Sequence, residues 1–175
     1  MERILVVVDV QNDFVTGSLG TKEAEAIVPA VVEKVKKFDG TVVFTRDSHG
    51  ENYMETQEGR NLPVLHCIEG TEGWEIISEL EPYTKDRIIF DKPAFGNPEV
   101  GKFIADAAEK NNGELEVEII GLCTDICVVS NVLTIKAFAP EVPLTVDSKC
   151  CAGVTPKAHQ AALTTMKSCQ VKILE

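Results

Sequence analysis

The segment GLCTDICVVS, residues 121–130, sets two cysteines four positions apart where a strand-like run gives way to a helical one. Thr124 has an N-cap side chain, which places Cys127 at the third helical position, among unpaired N–H groups and at the positive end of the helix dipole. That field favours a thiolate, the nucleophilic form of cysteine. Cys123 falls on the strand side, outside that field, and nothing nearby would activate Cys150 or Cys151. A cysteine nucleophile needs a proton acceptor. Of the three histidines, His159 lies within the last helical segment and reads as a surface or packing residue, leaving His49 and His66. A carboxylate serves equally if burial raises its pKa toward neutrality. Asp9, at the end of the apolar run ILVVVD (4–9), is such a group; a cap on the following turn is its other reading.

These side chains need a frame. Strand patterns at 4–9, 41–47, 87–92, 116–123, 143–148 and in the closing QVKIL alternate with helical patterns at 24–38, 124–139 and 155–169. The alternation predicts one α/β domain over 1–175, a doubly wound three-layer sandwich around a mostly parallel, six-stranded sheet. Ligands of such sheets bind beyond the carboxyl ends of the strands. Asp9, Asp47 with His49 close behind, Asp91-Lys92 and the cysteine segment all fall at that edge. Residues 48–86 form an irregular connection long enough to be functional.

A net charge of −11 over 175 residues argues against nucleic acid and against an anionic membrane surface as partners. MERILVVVDV has neither the length nor the cleavage site of a signal peptide, so a cytoplasmic location is expected and the six cysteines count as thiols. VDVQNDF lacks the glycines of a dinucleotide fingerprint. A reading from another class is a phospho-accepting receiver-like domain using Asp9, Asp91, Thr124 and Lys149, which would leave Cys127 and the Asp47-x-His49 pair idle.

Together, VVVDVQNDF (6–14), the lysine of FDKPAF (90–95) and GLCTDICV (121–128) resemble the isochorismatase-like cysteine hydrolases. RDSH (46–49) and HCIEGTEGW (66–74) resemble the nicotinamidase branch in particular. The resemblance implies a catalytic triad of Asp9, Lys92 and Cys127, and an oxyanion hole from the backbone N–H groups of Cys123 and Cys127 with a cis peptide at Leu122–Cys123. It also implies one divalent metal ion, zinc in the first instance and manganese or iron otherwise, held by Asp47, His49, His66 and a carboxylate from the loop between them. Glu58 is the first choice by its spacing to His66, with Glu55 and Glu51 as alternatives. The implied reaction converts nicotinamide and water to nicotinate and ammonia, in NAD salvage, and relatives often form homo-oligomers. Two departures bear on substrate: PAFGNPEVG lacks the serine-and-aromatic pattern common after the lysine, and Pro63 stands where a ring-stacking aromatic is frequent. Phe14, Phe95 and Tyr53 are the aromatics left to wall the pocket. Carbamoyl, ureido or biuret-like amides therefore remain alternatives.

Overall fold

In a computed structural model describing residues 1–175, six strands form one sheet: β1 (Glu2–Val8), β2 (Thr41–Asp47), β3 (Ile88–Lys92), β4 (Leu115–Leu122), β5 (Leu144–Ala152) and β6 (Lys172–Leu174). Their order is β3-β2-β1-β4-β5-β6, and every neighbouring pair is parallel. β1 is central and covered on both faces, which is why its apolar run is unbroken from Ile4 to Val8. The helices are α1 (Asn12–Val15), α2 (Lys22–Lys37), α3 (Gln57–Asn61), α4 (Pro98–Lys110), α5 (Val129–Phe138) and α6 (Pro156–Ser168). Right-handed crossovers place α2 on one face and α4, α5 and α6 on the other, and α5 packs against both α4 and α6. The expected doubly wound α/β sandwich is what forms.

Two differences from the sequence reading bear on the site. α4 is additional to the expected helices: Asn97 caps it by accepting the Glu99 N–H at 2.9 Å, and Pro98 occupies its first turn. β5 continues past Ser148 to Ala152, so Cys150 and Cys151 are buried strand residues. Its pairing with β4 slips between Ile119 and Gly121, and Gly121 adopts φ 121° where a Cβ would collide with the Val8 carbonyl. Glycine there lets β4 run close beside the end of β1. The chain order reverses between β1 and β4, which opens a crevice at their carboxyl ends. Asp9 emerges on one side of it and the cysteine segment on the other.

Candidate active site

Asp9 follows β1 with φ 48°, a left-handed conformation uncommon for a non-glycine residue and often found where side chains are aimed for function. Its Oδ1 accepts the Thr45 hydroxyl at 2.6 Å from the neighbouring strand. Lys92, at the end of β3, reaches under β2 so that its Nζ lies 2.7 Å from Asp9 Oδ2, 3.2 Å from Asp47 Oδ1 and 3.4 Å from Cys127 Sγ. Asp9 and Lys92 have no solvent exposure and Cys127 is 4% exposed, so these charges act in a low-dielectric setting. The ammonium meets Asp9 Oδ2 off the directions of a good hydrogen bond, leaving that oxygen without a directed donor.

Electrostatics here correct the expectation of a preformed thiolate. Burial, and then the negative charge of Asp9, push the Cys127 thiol well above its ordinary pKa, and Lys92 offsets only part of this. Burial raises Asp9 too, against the opposing pull of Lys92. For Lys92 burial alone would favour the neutral amine, but its acidic neighbours, Asp9 foremost and then Asp47, hold the ammonium. The nucleophile at rest is therefore a thiol, beside the Lys92 ammonium and in hydrogen-bond reach of Asp9. Desolvation outweighs the half-charge of one helix end.

The turn bearing Cys127 also departs from expectation. Cys123, not Thr124, is the cap residue, and no side chain caps the turn. The Cys123 carbonyl accepts the N–H groups of Ile126 and Val128, each at 3.0 Å, and skips that of Cys127 between them. This widened, π-type turn is a form that recurs at functional sites. The Leu122–Cys123 peptide is cis. Asn131, one turn into α5, donates to the Cys127 carbonyl at 2.8 Å and to the Phe95 carbonyl at 3.1 Å, and accepts the Asn97 N–H at 3.0 Å. It ties the cysteine to the segment that follows Lys92.

Beside this group, the ligating atoms of Asp47, His49, Glu58 and His66 lie within 4.8 Å of one another. Asp47 Oδ2 is 3.0 Å from His49 Nε2 and 3.6 Å from His66 Nε2, and Glu58 Oε1 is 3.7 Å from both imidazoles. Glu51 and Glu55 are exposed and outside the cluster. His66 Nδ1 donates to the Val64 carbonyl at 2.8 Å, which leaves the Nε2 lone pair facing the cluster, the usual second contact of a metal-binding histidine. Burial alone would raise the Asp47 pKa, but hydrogen bonds to His49 and His66 and the Lys92 charge hold it well below the carboxylate range. Glu58 is raised, by burial and then by Asp47. Two carboxylates and two imidazoles converging on one point fit a divalent cation. Gln11, not anticipated from sequence, is fully buried and brackets Asp47: it accepts the Asp47 N–H at 2.7 Å and donates to the Asp47 and Trp74 carbonyls, each at 2.8 Å.

A cavity of about 650 Å³ opens over both groups, with Cys127, Cys123, Asp47, Glu58 and His66 in its wall. Its volume lies within the range of small-molecule sites. Phe14 and Phe95 line it, whereas Tyr53 does not. Tyr53 is fully buried behind the cluster, its ring 4.7 Å from that of His49 and 5.0 Å from that of His66, its hydroxyl donating to the Leu62 carbonyl at 2.9 Å. It supports the imidazoles instead of walling the pocket. No lysine or arginine lines the cavity, so its charged wall is acidic. The receiver-like reading loses its acceptor, because Asp91 points outward and pairs with Arg46 at 2.7 and 3.0 Å. No helix is long and apolar enough to cross a membrane.

The sequence profile of the Isochorismatase domain matches residues 3–175. The nicotinamidase/pyrazinamidase of Mycobacterium tuberculosis is 27% identical, with 98% of each chain covered. The crystal structure of the Bacillus subtilis nicotinamidase/pyrazinamidase superposes with a TM-score of 0.82 at 27% identity, with both chains fully covered. That of the Pyrococcus horikoshii pyrazinamidase in complex with zinc superposes with a TM-score of 0.81 at 29% identity, covering 100% of this chain and 99% of that one.

Proposed function

Since the chain belongs to the isochorismatase domain family, we propose that its crevice is the active site of a nicotinamidase, with Asp9, Lys92 and Cys127 as the catalytic residues in one hydrolase domain over 1–175. The enzyme is a hydrolase of a carbon–nitrogen amide bond. The observation that carries the assignment of residues is the Lys92 ammonium, in contact with Asp9, Asp47 and the Cys127 sulfur at once. As the sulfur attacks the amide carbon, its proton passes to Asp9, whose Oδ2 lacks a directed donor. Negative charge moves onto the former carbonyl oxygen, where the N–H groups of Cys123 and Cys127 receive it. Asp9 returns the proton to the departing nitrogen, and ammonia leaves. Asp9 then takes a proton from water as it attacks the thioester, and gives it back to the sulfur as nicotinate is released. Lys92 keeps the buried charge balanced throughout.

Asp47, His49, Glu58 and His66 would hold one divalent cation, zinc in the first instance and manganese or iron otherwise. Bound there, the ion supplies a Lewis-acid contact for an aromatic ring nitrogen. Metal-free protein, verified by elemental analysis, is expected to show a KM for nicotinamide raised by about tenfold or more, with the KM for benzamide, which has no ring nitrogen, changed far less. Equal changes for both amides would remove the ring-orienting role.

The cavity lining decides between the amide classes. Carbamoyl and ureido substrates that carry a carboxylate would find no lysine or arginine in the cavity wall to pair with. Phe14 and Phe95 offer apolar surface for a neutral ring. An ammonia-release screen is therefore expected to give turnover with nicotinamide and pyrazinamide, and at least about a hundredfold lower kcat/KM with N-carbamoyl amino acids. A preference for the carboxylate-bearing compounds would overturn the assignment.

A further inference from the structure

α6 reaches the nucleophile turn through a group that the reaction does not itself use. Thr124 is fully buried, and its Oγ1 lies 2.8 Å from Nδ1 of His159, 35 residues further along the chain. A threonine inside a helix returns its hydroxyl to a carbonyl of the preceding turn. Thr124 opens its turn and has no such carbonyl behind it, so the imidazole is its partner. One residue on, Asp125 Oδ1 accepts the Val154 N–H at 3.0 Å. Gly153 fits between these contacts because it has no side chain: a Cβ would stand 2.7 Å from Asp125 Oδ1 and 2.8 Å from the backbone nitrogen of His159. The turn from Cys123 to Cys127 is thus latched to the start of α6 by two hydrogen bonds. No side chain caps it from within. Burial lowers the His159 pKa, with Asp125 opposing, which favours a neutral ring able to accept the Thr124 hydroxyl at Nδ1.

We propose that His159 is a positioning residue which, through Thr124, holds the Cys123–Cys127 turn so that its backbone N–H groups meet the oxyanion. The inference rests on the hydrolase reading. Losing one oxyanion donor costs about 10²–10³ in kcat, and misplacement by about 1 Å costs on the order of 10². His159→Ala is accordingly expected to lower kcat for nicotinamide by about 10- to 100-fold with KM little changed. His159→Asn, whose side-chain oxygen can take the place of Nδ1, restores most of the loss. Thr124→Val gives the same loss, and the double variant is no worse than either single one.

Alkylation of Cys127 by iodoacetamide, followed by peptide mass, separates this role from general damage. That displacement develops no oxyanion, so its rate in His159→Ala stays within about twofold of the wild type. Matching kcat in wild type and His159→Ala overturns the inference alone, as does an alkylation rate that falls together with kcat, or additive losses in the double variant. A wild type that releases no ammonia from any amide overturns the hydrolase reading and this inference with it.

Discussion

Cys127→Ala is expected to reduce nicotinamide hydrolysis by on the order of 10⁴-fold or more while the protein stays folded. The size of the loss follows from the absence of a substitute nucleophile. Cys123 also lines the cavity, but burial, and then the charge of Asp125, push its thiol up to about 12, and Lys92 does little for it. Stability should change by only about 1 kcal/mol, because one sulfur leaves a small cavity and removes none of the ion pairs of Lys92 with Asp9 and Asp47. Ammonia release and a thermal melt on the same preparation provide the check. Wild-type protein quenched during turnover should carry an acyl group on Cys127 by peptide mass, and the variant none. Turnover within tenfold of wild type would end the covalent mechanism.

The reasons some of this site is legible in sequence, and some is not, are physical. Asp9, Lys92 and Cys127 could each be placed at the carboxyl edge from a separate strand end, because a doubly wound sheet exposes that edge to ligands whatever the details of packing, while their joint role is what the family resemblance implies. The β1 run could be read as a central strand because only burial on both faces tolerates Ile4 to Val8 without a polar break. α4 has a legible signal as well, since Asn97-Pro98 followed by apolar residues at helical spacing marks a helix N-terminus. Thr45, Gln11 and Asn131 carried no comparable signal. Their partners lie about 35 residues away, and a polar side chain in a strand or helix does not reveal which distant group it will meet. Tyr53 was misplaced for a related reason, since an aromatic in an irregular loop can line a pocket or back it with equal propensity. The resting protonation state was misjudged because a helix end can be read from sequence, whereas the cost of burying the thiol beside Asp9 needs the fold.

Lys92→Met should damage both stability and activity, and the pH dependence of the damage identifies its cause. Methionine roughly fills the space of the lysine stem but leaves two buried carboxylates, Asp9 and Asp47, without their shared cation. Removing one partner of a buried pair typically costs about 3–5 kcal/mol. Asp47 retains His49 and His66; Asp9 retains no cation, only the Thr45 hydroxyl and the Cys127 thiol. Burial already raises the Asp9 pKa with the ammonium present, so without it the carboxyl is held protonated to higher pH. A group whose folded pKa exceeds its unfolded value lowers stability as pH climbs from the unfolded value of 3.8 toward the folded one. Asp47 runs the other way: its depressed pKa stabilises the wild type above the unfolded value, and part of that contribution, lost as pH falls, comes from Lys92. Both effects make the melting-temperature gap between wild type and Lys92→Met wider at about pH 7 than toward about pH 4. Turnover should fall by about 10³-fold or more, since a protonated Asp9 cannot accept the thiol proton. A gap that stays constant across that pH range would mean that lost packing, and not the uncompensated carboxylates, is what the lysine had been preventing.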